Sequence, residues 1–162
     1  MSGTSLDGLD LVACRFSKND AWSFEIIKTV TIPYSHKWIT KLISASEQNA
    51  YEIALLNIDF GKFIGKRVAE FCTELQLVPD LVSSHGHTIF HQPEKQLTMQ
   101  IGCGATIAAY SGIKTVCDFR TLDVALGGQG APLVPIGDEL LFSDYDFCLN
   151  LGGIANISFN EN

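Results

Sequence analysis

The sequence predicts an α/β protein in which a mixed sheet is flanked by helices, and three observations support this. Segments rich in β-branched and aromatic residues come first, a long amphipathic segment follows, and strand-like and helix-like segments then alternate. With 46% hydrophobic and 18% charged residues, the composition is that of a folded chain rather than a disordered one. The 162 residues suffice for one domain with a buried core.

The first elements predicted are a hairpin and a short helix. Residues 9–16 and 22–32 are rich in strand-forming side chains and are separated by a polar turn, so they predict two antiparallel strands. Pro33 ends the second strand because proline cannot donate to the ladder. Residues 37–45 then predict a short helix.

A long helix is predicted from Asn49 onward. Apolar residues recur there at steps of three and four, which places them on one face over roughly six or seven turns. Pro79 and Asp80 end the pattern. The stripe consists of Ile53, Leu56, Phe60, Phe63, Ile64, Val68, Phe71 and Leu75.

The second half of the chain predicts alternating strands and helices. A short buried strand begins at Leu81 and runs into a polar loop. A closing hairpin is predicted around Gly152 and Gly153. The other elements are strands at 97–102 and 114–119 and helices at 105–112 and 134–142.

Charge and composition narrow the function. The net charge of −7 argues against a nucleic-acid-binding protein, which normally carries a basic surface. No apolar run is long enough for a membrane span. Five scattered cysteines without a CxxC pair indicate reduced thiols, so we expect a cytoplasmic protein.

Three glycine-rich polar loops are candidates for anion binding. They comprise residues 2–10, 126–132 and 150–156, and none matches a P-loop or a dinucleotide-binding fingerprint. Glycines allow successive backbone N–H groups to approach a phosphate closely, but they are also common in ordinary turns. The pattern leaves both interpretations open.

Two further segments carry chemistry-bearing side chains. His85, His87 and His91 have a spacing that permits metal binding, although a polar substrate loop at a strand end explains them as well. Asp118, Arg120 and Asp123 follow an apolar strand, where they form either a structural ion pair or a reader of a substrate anion.

Together these motifs resemble the anhydro-N-acetylmuramic acid kinase family. The resemblance runs over residues 1–159, in family order, and rests on MSGTSLDGLD, SHGHTIFHQPE, QIG, DFRTLDVALGGQGAPLVP and LNLGGIANIS. His87 stands where the family usually has glutamine, and a histidine can still donate and accept a hydrogen bond there.

The resemblance implies a fold, a reaction and a place in metabolism. The fold is that of sugar kinases, actin and Hsp70, with two ribonuclease-H-like domains and ATP in the cleft between them. The reaction converts 1,6-anhydro-N-acetylmuramic acid, ATP and water to N-acetylmuramic acid 6-phosphate and ADP in cell-wall recycling. The partner is thus a small amino sugar, and a homodimer is left open for the full-length form.

The resemblance also implies roles for individual residues. Asp7 and Asp10 take the Mg²⁺, since Met1 stands where the superfamily usually has an aspartate. Asn150 likewise replaces the aspartate of the second phosphate hairpin. Contacts to ATP are expected from Gly3, Thr4, Ser5, Leu6, Asp7, Gly8, Leu9, Asp10, Gly152 and Gly153. Contacts to the sugar are expected from His85, Gly86, Thr88, Gln100, Asp118, Arg120 and Asp123, with Arg120 facing the lactyl carboxylate.

Residues 1–162 are accordingly expected to be a partial N-terminal kinase domain. The first strand of the sheet, the second domain and the general-base aspartate, expected beyond Asn162, fall outside this sequence. We therefore expect the isolated chain to be inactive. The alternative is a non-catalytic sugar-binding or regulatory domain.

Overall fold

The computed structural model describes residues 1–3, 6–151 and 155–159, which form a mixed α/β structure. The strands in these ranges are β1 (Gly8–Lys18), β2 (Trp22–Pro33), β3 (Val82–Ser84), β4 (His87–Gln92), β5 (Leu97–Ile101), β6 (Thr115–Cys117), β7 (Phe147–Asn150) and β8 (Asn156–Phe159). The α-helices are α1 (His36–Ile43), α2 (Ala50–Glu74), α3 (Gly104–Ser111), α4 (Thr121–Ala125) and α5 (Pro135–Leu141).

Most predicted elements are present, and two were missed. The hairpin, the long helix and the alternating elements after it lie close to their predicted bounds. Strand β4 lies in a segment predicted to be a polar loop, because its two histidines and its glutamine conceal the alternation of a strand. Helix α4 has five residues, too few for a helical period to show in the sequence.

The described strands form four separate two-stranded pairs, which corrects the predicted mixed sheet. β1 pairs with β2, β4 with β5 and β7 with β8, all antiparallel, whereas β3 and β6 are parallel. In the described residues no strand connects one pair to the next. On its second side β1 has only the bridge from Ser2 to Leu9, so no described strand joins the β1–β2 hairpin to the β3–β6 pair.

Helix α2 organises the core. It begins at a capping box in which Asn49 Oδ1 accepts from Glu52 N (3.0 Å) and Glu52 Oε2 accepts from Asn49 N (3.2 Å). The predicted apolar stripe is confirmed, since its central members are buried and join Leu9, Tyr34, Ile101 and Ile107 in one cluster. These central members are Leu56, Phe60, Ile64 and Val68.

Two glycines let α2 and α3 approach each other closely. A Cβ at Gly61 would lie 2.8 Å from Cys103 O, and one at Gly65 would lie 2.8 Å from Tyr110 Cβ. Asn57, between the core residues of α2, accepts a hydrogen bond from Gly102 N at its Oδ1 (2.8 Å). These contacts fix the turn from β5 into α3 against the long helix.

Among the described helices, none has both the length and the apolar character needed to cross a membrane.

Candidate active site

The N-terminal segment folds back on β1 as a tight turn. Ser2 forms an antiparallel bridge with Leu9, and Asp10 N donates to Met1 O at 2.8 Å. Leu6 N donates to Gly3 O at 3.3 Å, and Leu6 adopts a left-handed φ of 58°. The backbone N–H groups of a glycine-containing turn such as this one can cradle an anion.

Two aspartates, Asp7 and Asp10, follow this turn in the sequence. Asp7 Oδ1 accepts from Gly8 N (3.0 Å), and Asp10 Oδ1 accepts from Thr31 Oγ1 on β2 (2.6 Å). Both aspartates are exposed. Gly8 allows the turn to lie against β2, because a Cβ there would be 2.6 Å from Ile32 O. Carboxylate oxygens are suitable partners for Mg²⁺, which retains waters and substrate phosphates as its other ligands.

Some of the predicted ATP contacts have no structural description. Thr4, Ser5, Gly152 and Gly153 lie outside the described residues. The strands beside the predicted second hairpin are described, and Asn150 of β7 pairs with Asn156 of β8. Leu9, another predicted contact, is 1% exposed and anchors the first turn in the core.

A buried chain of hydrogen bonds fastens the first turn to β4. Tyr34 Oη donates to Ser2 Oγ at 2.7 Å, and Ser2 Oγ lies 2.8 Å from His87 Nδ1. All three residues are buried, and the ring of Phe60 packs edge-on against His87 with the ring centres 6.3 Å apart. Ser2 therefore donates to a neutral His87 while it accepts from Tyr34.

Burial determines the protonation states of Tyr34 and His87 in this chain of hydrogen bonds. It raises the pKa of Tyr34 to about 12, so the phenol remains a donor at neutral pH. Burial also lowers the pKa of His87, an effect that a hydrogen bond to the backbone of Ser2 partly opposes. Burial thus favours the neutral imidazole, the form in which Nδ1 can accept the proton of the Ser2 hydroxyl.

His85, two residues before His87, forms a hydrogen bond with Arg120. Arg120 Nε donates to His85 Nε2 at 2.9 Å, and His85 Nδ1 lies 3.1 Å from Gly86 O. A guanidinium can only donate, so Nε2 is the acceptor and the proton of the neutral ring is on Nδ1. Burial lowers the pKa of His85, and the charge of Arg120 adds to that effect.

Arg120 also connects this loop to the glycine-rich segment 126–132. Its terminal nitrogen donates to Gly130 O, and Gly130 N donates to Asp123 Oδ2 at 2.6 Å. The side chain of Asp118 accepts from Thr121 N (3.3 Å) at the start of α4. His85 from one motif and Arg120 and Asp123 from another therefore belong to one hydrogen-bonded group, whereas Asp118 bonds to the first residue of α4.

The remaining predicted sugar contacts lie on the adjacent strand pair. Thr88 of β4 is in register with Gln100 of β5, and both are half-buried. Gln100 Nε2 donates to Thr98 Oγ1 at 2.9 Å. Gly86 has a φ of 73° and lies against Ile101 O, so a side chain would collide there. Helix α4 packs on β5, which brings this pair near the Arg120 group.

The three histidines of this segment have different partners. His87 bonds to Ser2, His85 to Arg120, and the exposed His91 lies 3.1 Å from Thr98 Oγ1. Throughout the described ranges, no three His, Cys, Asp or Glu side chains come together as a metal site. The spacing that permitted a histidine metal site therefore does not produce one in this part of the chain.

Sequence reasoning did not select Tyr34, and it placed Ser2 and Gly130 in candidate loops without predicting their hydrogen-bond partners. Ser2 lies 85 residues from its partner His87, and no local pattern reports a contact over that distance. Tyr34 follows a strand-ending proline, a weak sign of position but not of a partner. Gly130 acts through backbone atoms, which the sequence does not distinguish from those of other glycines.

Comparison with known proteins decides the family. The sequence model described as "Anhydro-N-acetylmuramic acid kinase" matches residues 1–161. The chain belongs to the anhydro-N-acetylmuramic acid kinase family. A relative of that name from Pseudoalteromonas translucida (strain TAC 125) is 40% identical over 177 positions, covering 98% of this chain and 44% of the relative. Another from Bacillus cereus (strain AH820) is 37% identical and covers 100% of this chain and 46% of the relative.

The match confirms the family resemblance that the motifs predicted. This member of the anhydro-N-acetylmuramic acid kinase family spans less than half the length of the curated relatives it matches.

Proposed function

We propose that this chain carries the first phosphate-binding turn and the sugar-binding loops of a kinase acting on 1,6-anhydro-N-acetylmuramic acid. The observation that carries the proposal is the single guanidinium of Arg120, which joins the loop at His85 to the loop at Gly130. Such a junction places loops from separate parts of the chain around one substrate.

Arg120 is suited to bind the lactyl carboxylate of the sugar. Its described contacts engage Nε and one terminal nitrogen of a group that has five N–H donors. The bond to His85 and the bond to Gly130 fix the plane of the guanidinium, so less conformational entropy is lost when an anion binds. Asp123 completes the support because it holds Gly130 N.

The turn at Ser2 is proposed to face the nucleotide. ATP would supply the transferred phosphoryl group, and Mg²⁺ would neutralise the charge of its oxygens. Backbone groups of the turn would position the phosphates, and Asp7 and Asp10 would hold the metal ion through their exposed carboxylates. The chain from Tyr34 through Ser2 to His87 keeps the turn beside the sugar-binding loop.

We further propose that the whole chain is part of a ribonuclease-H-like domain of a cytoplasmic enzyme. The antiparallel hairpin β1–β2 and the parallel pair β3–β6, with α3 packed on β6 and α2 packed on α3, are compatible with that domain. Because relatives are more than twice as long, we expect this chain to bind ligands without turnover.

Binding of the sugar by Arg120 variants tests the proposal. We expect Arg120→Ala to weaken binding of 1,6-anhydro-N-acetylmuramic acid about tenfold, because the carboxylate loses a charge-assisted pair. Arg15→Ala removes an equal charge from the exposed Arg15–Glu25 pair and should leave the affinity unchanged. Isothermal titration calorimetry measures both.

A second ligand makes the test specific. 1,6-Anhydro-N-acetylglucosamine lacks the lactyl carboxylate, so its affinity should be the same for wild type and Arg120→Ala. Equal binding of the muramic sugar by both proteins would refute the assignment of Arg120. Sugar binding without any binding of Mg-ATP would instead support a non-catalytic sugar-binding domain.

A further inference from the structure

A cavity of about 290 Å³ lies between α1 and α2, away from the candidate active site. None of the residues predicted to bind ATP or the sugar lines it. Its walls carry four lysines and two aromatic rings, namely Lys37, Lys41, Lys62, Lys66, Trp38 and Phe63. A concave site with this lining is unusual on a chain whose net charge is −7.

The spacing of the four lysines brings like charges close together. Lys37 and Lys41 are four residues apart on α1, and Lys62 and Lys66 are four apart on α2. Like charges at this spacing face each other on a helix and destabilise it. The chain has 11 lysines and arginines in total, and two such pairs from neighbouring helices converge on one cavity.

The start of helix α1 adds to this positive potential. Its first turn contains no acidic residue and does contain Lys37. The N-terminal end of a helix carries partial positive charge from its free N–H groups, so a cation there is unfavourable and an anion favourable. An anion in the cavity would relieve both the lysine repulsion and this end effect.

Three of the four lysines of the cavity contact aromatic rings or a carboxylate, but these contacts supply only one negative charge. Lys41 Nζ lies 3.1 Å from Asp59 Oδ2 and 5.3 Å from the centre of the Trp38 ring. Lys62 and Lys66 lie 5.2 and 5.8 Å from the Tyr110 ring. Asp59 is the single carboxylate in the lining, so four positive charges face one negative charge.

From these observations we propose that the cavity between α1 and α2 is a binding site for a small molecule that carries a phosphate dianion. Lysine ammonium groups bind phosphate as point charges, and several of them can surround its oxygens. The volume is near the lower limit for small-molecule sites, which suits a compact phosphate ester rather than a polymer. The rings of Trp38 and Phe63 offer an apolar wall to the carbon skeleton of such an ester.

Titration of the two tryptophans by NMR tests the proposal. Trp38 lines the cavity, whereas Trp22 carries Lys18 at 5.3 Å at the far end of the hairpin and provides an internal control with the same ammonium–ring pairing. With glucose 6-phosphate at up to about 10 mM, we expect the indole signal of Trp38 to shift and saturate, and added salt to weaken the effect. Glucose should leave both signals unchanged.

Inorganic phosphate and matched variants complete the experiment. Tighter binding of glucose 6-phosphate than of inorganic phosphate identifies an ester site, and equal binding identifies a free-phosphate site; both support the proposal. Lys62→Gln/Lys66→Gln should weaken binding about tenfold, whereas Lys95→Gln/Lys114→Gln, with the same loss of charge elsewhere, should not.

Four results would overturn the proposal. These are no shift of Trp38 with any phosphate, equal shifts of Trp38 and Trp22, equal shifts with glucose and glucose 6-phosphate, and equal loss of affinity in the two double variants. Concentration-dependent shifts of Trp38 without ligand would show instead that an acidic face of a second copy occupies the cavity. Circular dichroism of each variant confirms that it is folded.

Discussion

The small side chain of Ser2 holds the N-terminal turn in place through two buried hydrogen bonds. It is 4% exposed, and its hydroxyl accepts from Tyr34 and donates to His87. A buried hydroxyl without partners costs free energy, so this pairing specifies one position for the turn. Through these bonds, the turn that we propose for phosphate binding is held by a residue of the sugar-binding loop.

Substitution of His87 tests the chain of hydrogen bonds. His87→Leu should lower the free energy of unfolding by about 1–3 kcal/mol, because the Ser2 hydroxyl keeps its burial but loses its acceptor. His87→Gln retains an acceptor and should cost clearly less. Urea unfolding measures both variants, and equal losses for leucine and glutamine would contradict the role of the hydrogen bond.

At the level of elements, α2 combines two kinds of contact on its buried side. Leu56, Phe60 and Ile64 bury large side chains, whereas Gly61 and Gly65 admit the backbone of α3. Glycine inside a helix is otherwise unfavourable by about 1 kcal/mol relative to alanine. Close packing of the two helices offsets that cost, and it brings the turn after β5 within reach of Asn57.

Alanine at two helical glycines should have opposite effects. Gly65→Ala should destabilise the protein by about 1–3 kcal/mol, because its Cβ would lie 2.8 Å from Tyr110 Cβ and 2.9 Å from Ile107 O. At Gly137 of α5 a Cβ meets nothing within 4 Å, so Gly137→Ala should stabilise by about 0.5–1 kcal/mol. Thermal unfolding gives both values, and a neutral Gly65→Ala would show that the helices can separate at no cost.

For the whole molecule, the neutral histidines link stability to pH. His85 and His87 both have a pKa below the ordinary value of 6.5, in each case mainly because of burial. The unfolded chain therefore binds more protons than the folded chain as the pH falls through 6.5. The stabilisation from these groups is fully present above that pH and is lost as the pH falls toward their lowered pKa values.

The pH dependence should disappear with these two side chains. We expect the free energy of unfolding of the wild type to fall between about pH 7 and pH 5, and His85→Gln/His87→Gln to flatten that slope. His36→Gln/His91→Gln removes two exposed histidines and should keep the wild-type slope. Urea unfolding over this pH range is the measurement; an unchanged slope in the first variant would contradict the linkage.

The sequence allowed the elements to be predicted better than their assembly. Periodicity identified α2 because its stripe is long, and side-chain type identified the β1–β2 hairpin. Neither signal could show that, among the described residues, β1 has only the Ser2–Leu9 bridge and no further strand on its second side, since strand pairing is a contact between distant residues. At the site, Arg120 and His85 were predicted separately, but their hydrogen bond spans 35 residues and has no local signature.

Gly86 ties together two networks that are otherwise separate. The left-handed turn at this residue sends His85 toward Arg120 and His87 toward Ser2. A substitution of either histidine would break the bonds of one network and leave those of the other in place. A substitution of Gly86 would displace both histidines at once. The conformation of the loop therefore tolerates fewer residue types at Gly86 than at His85 or His87.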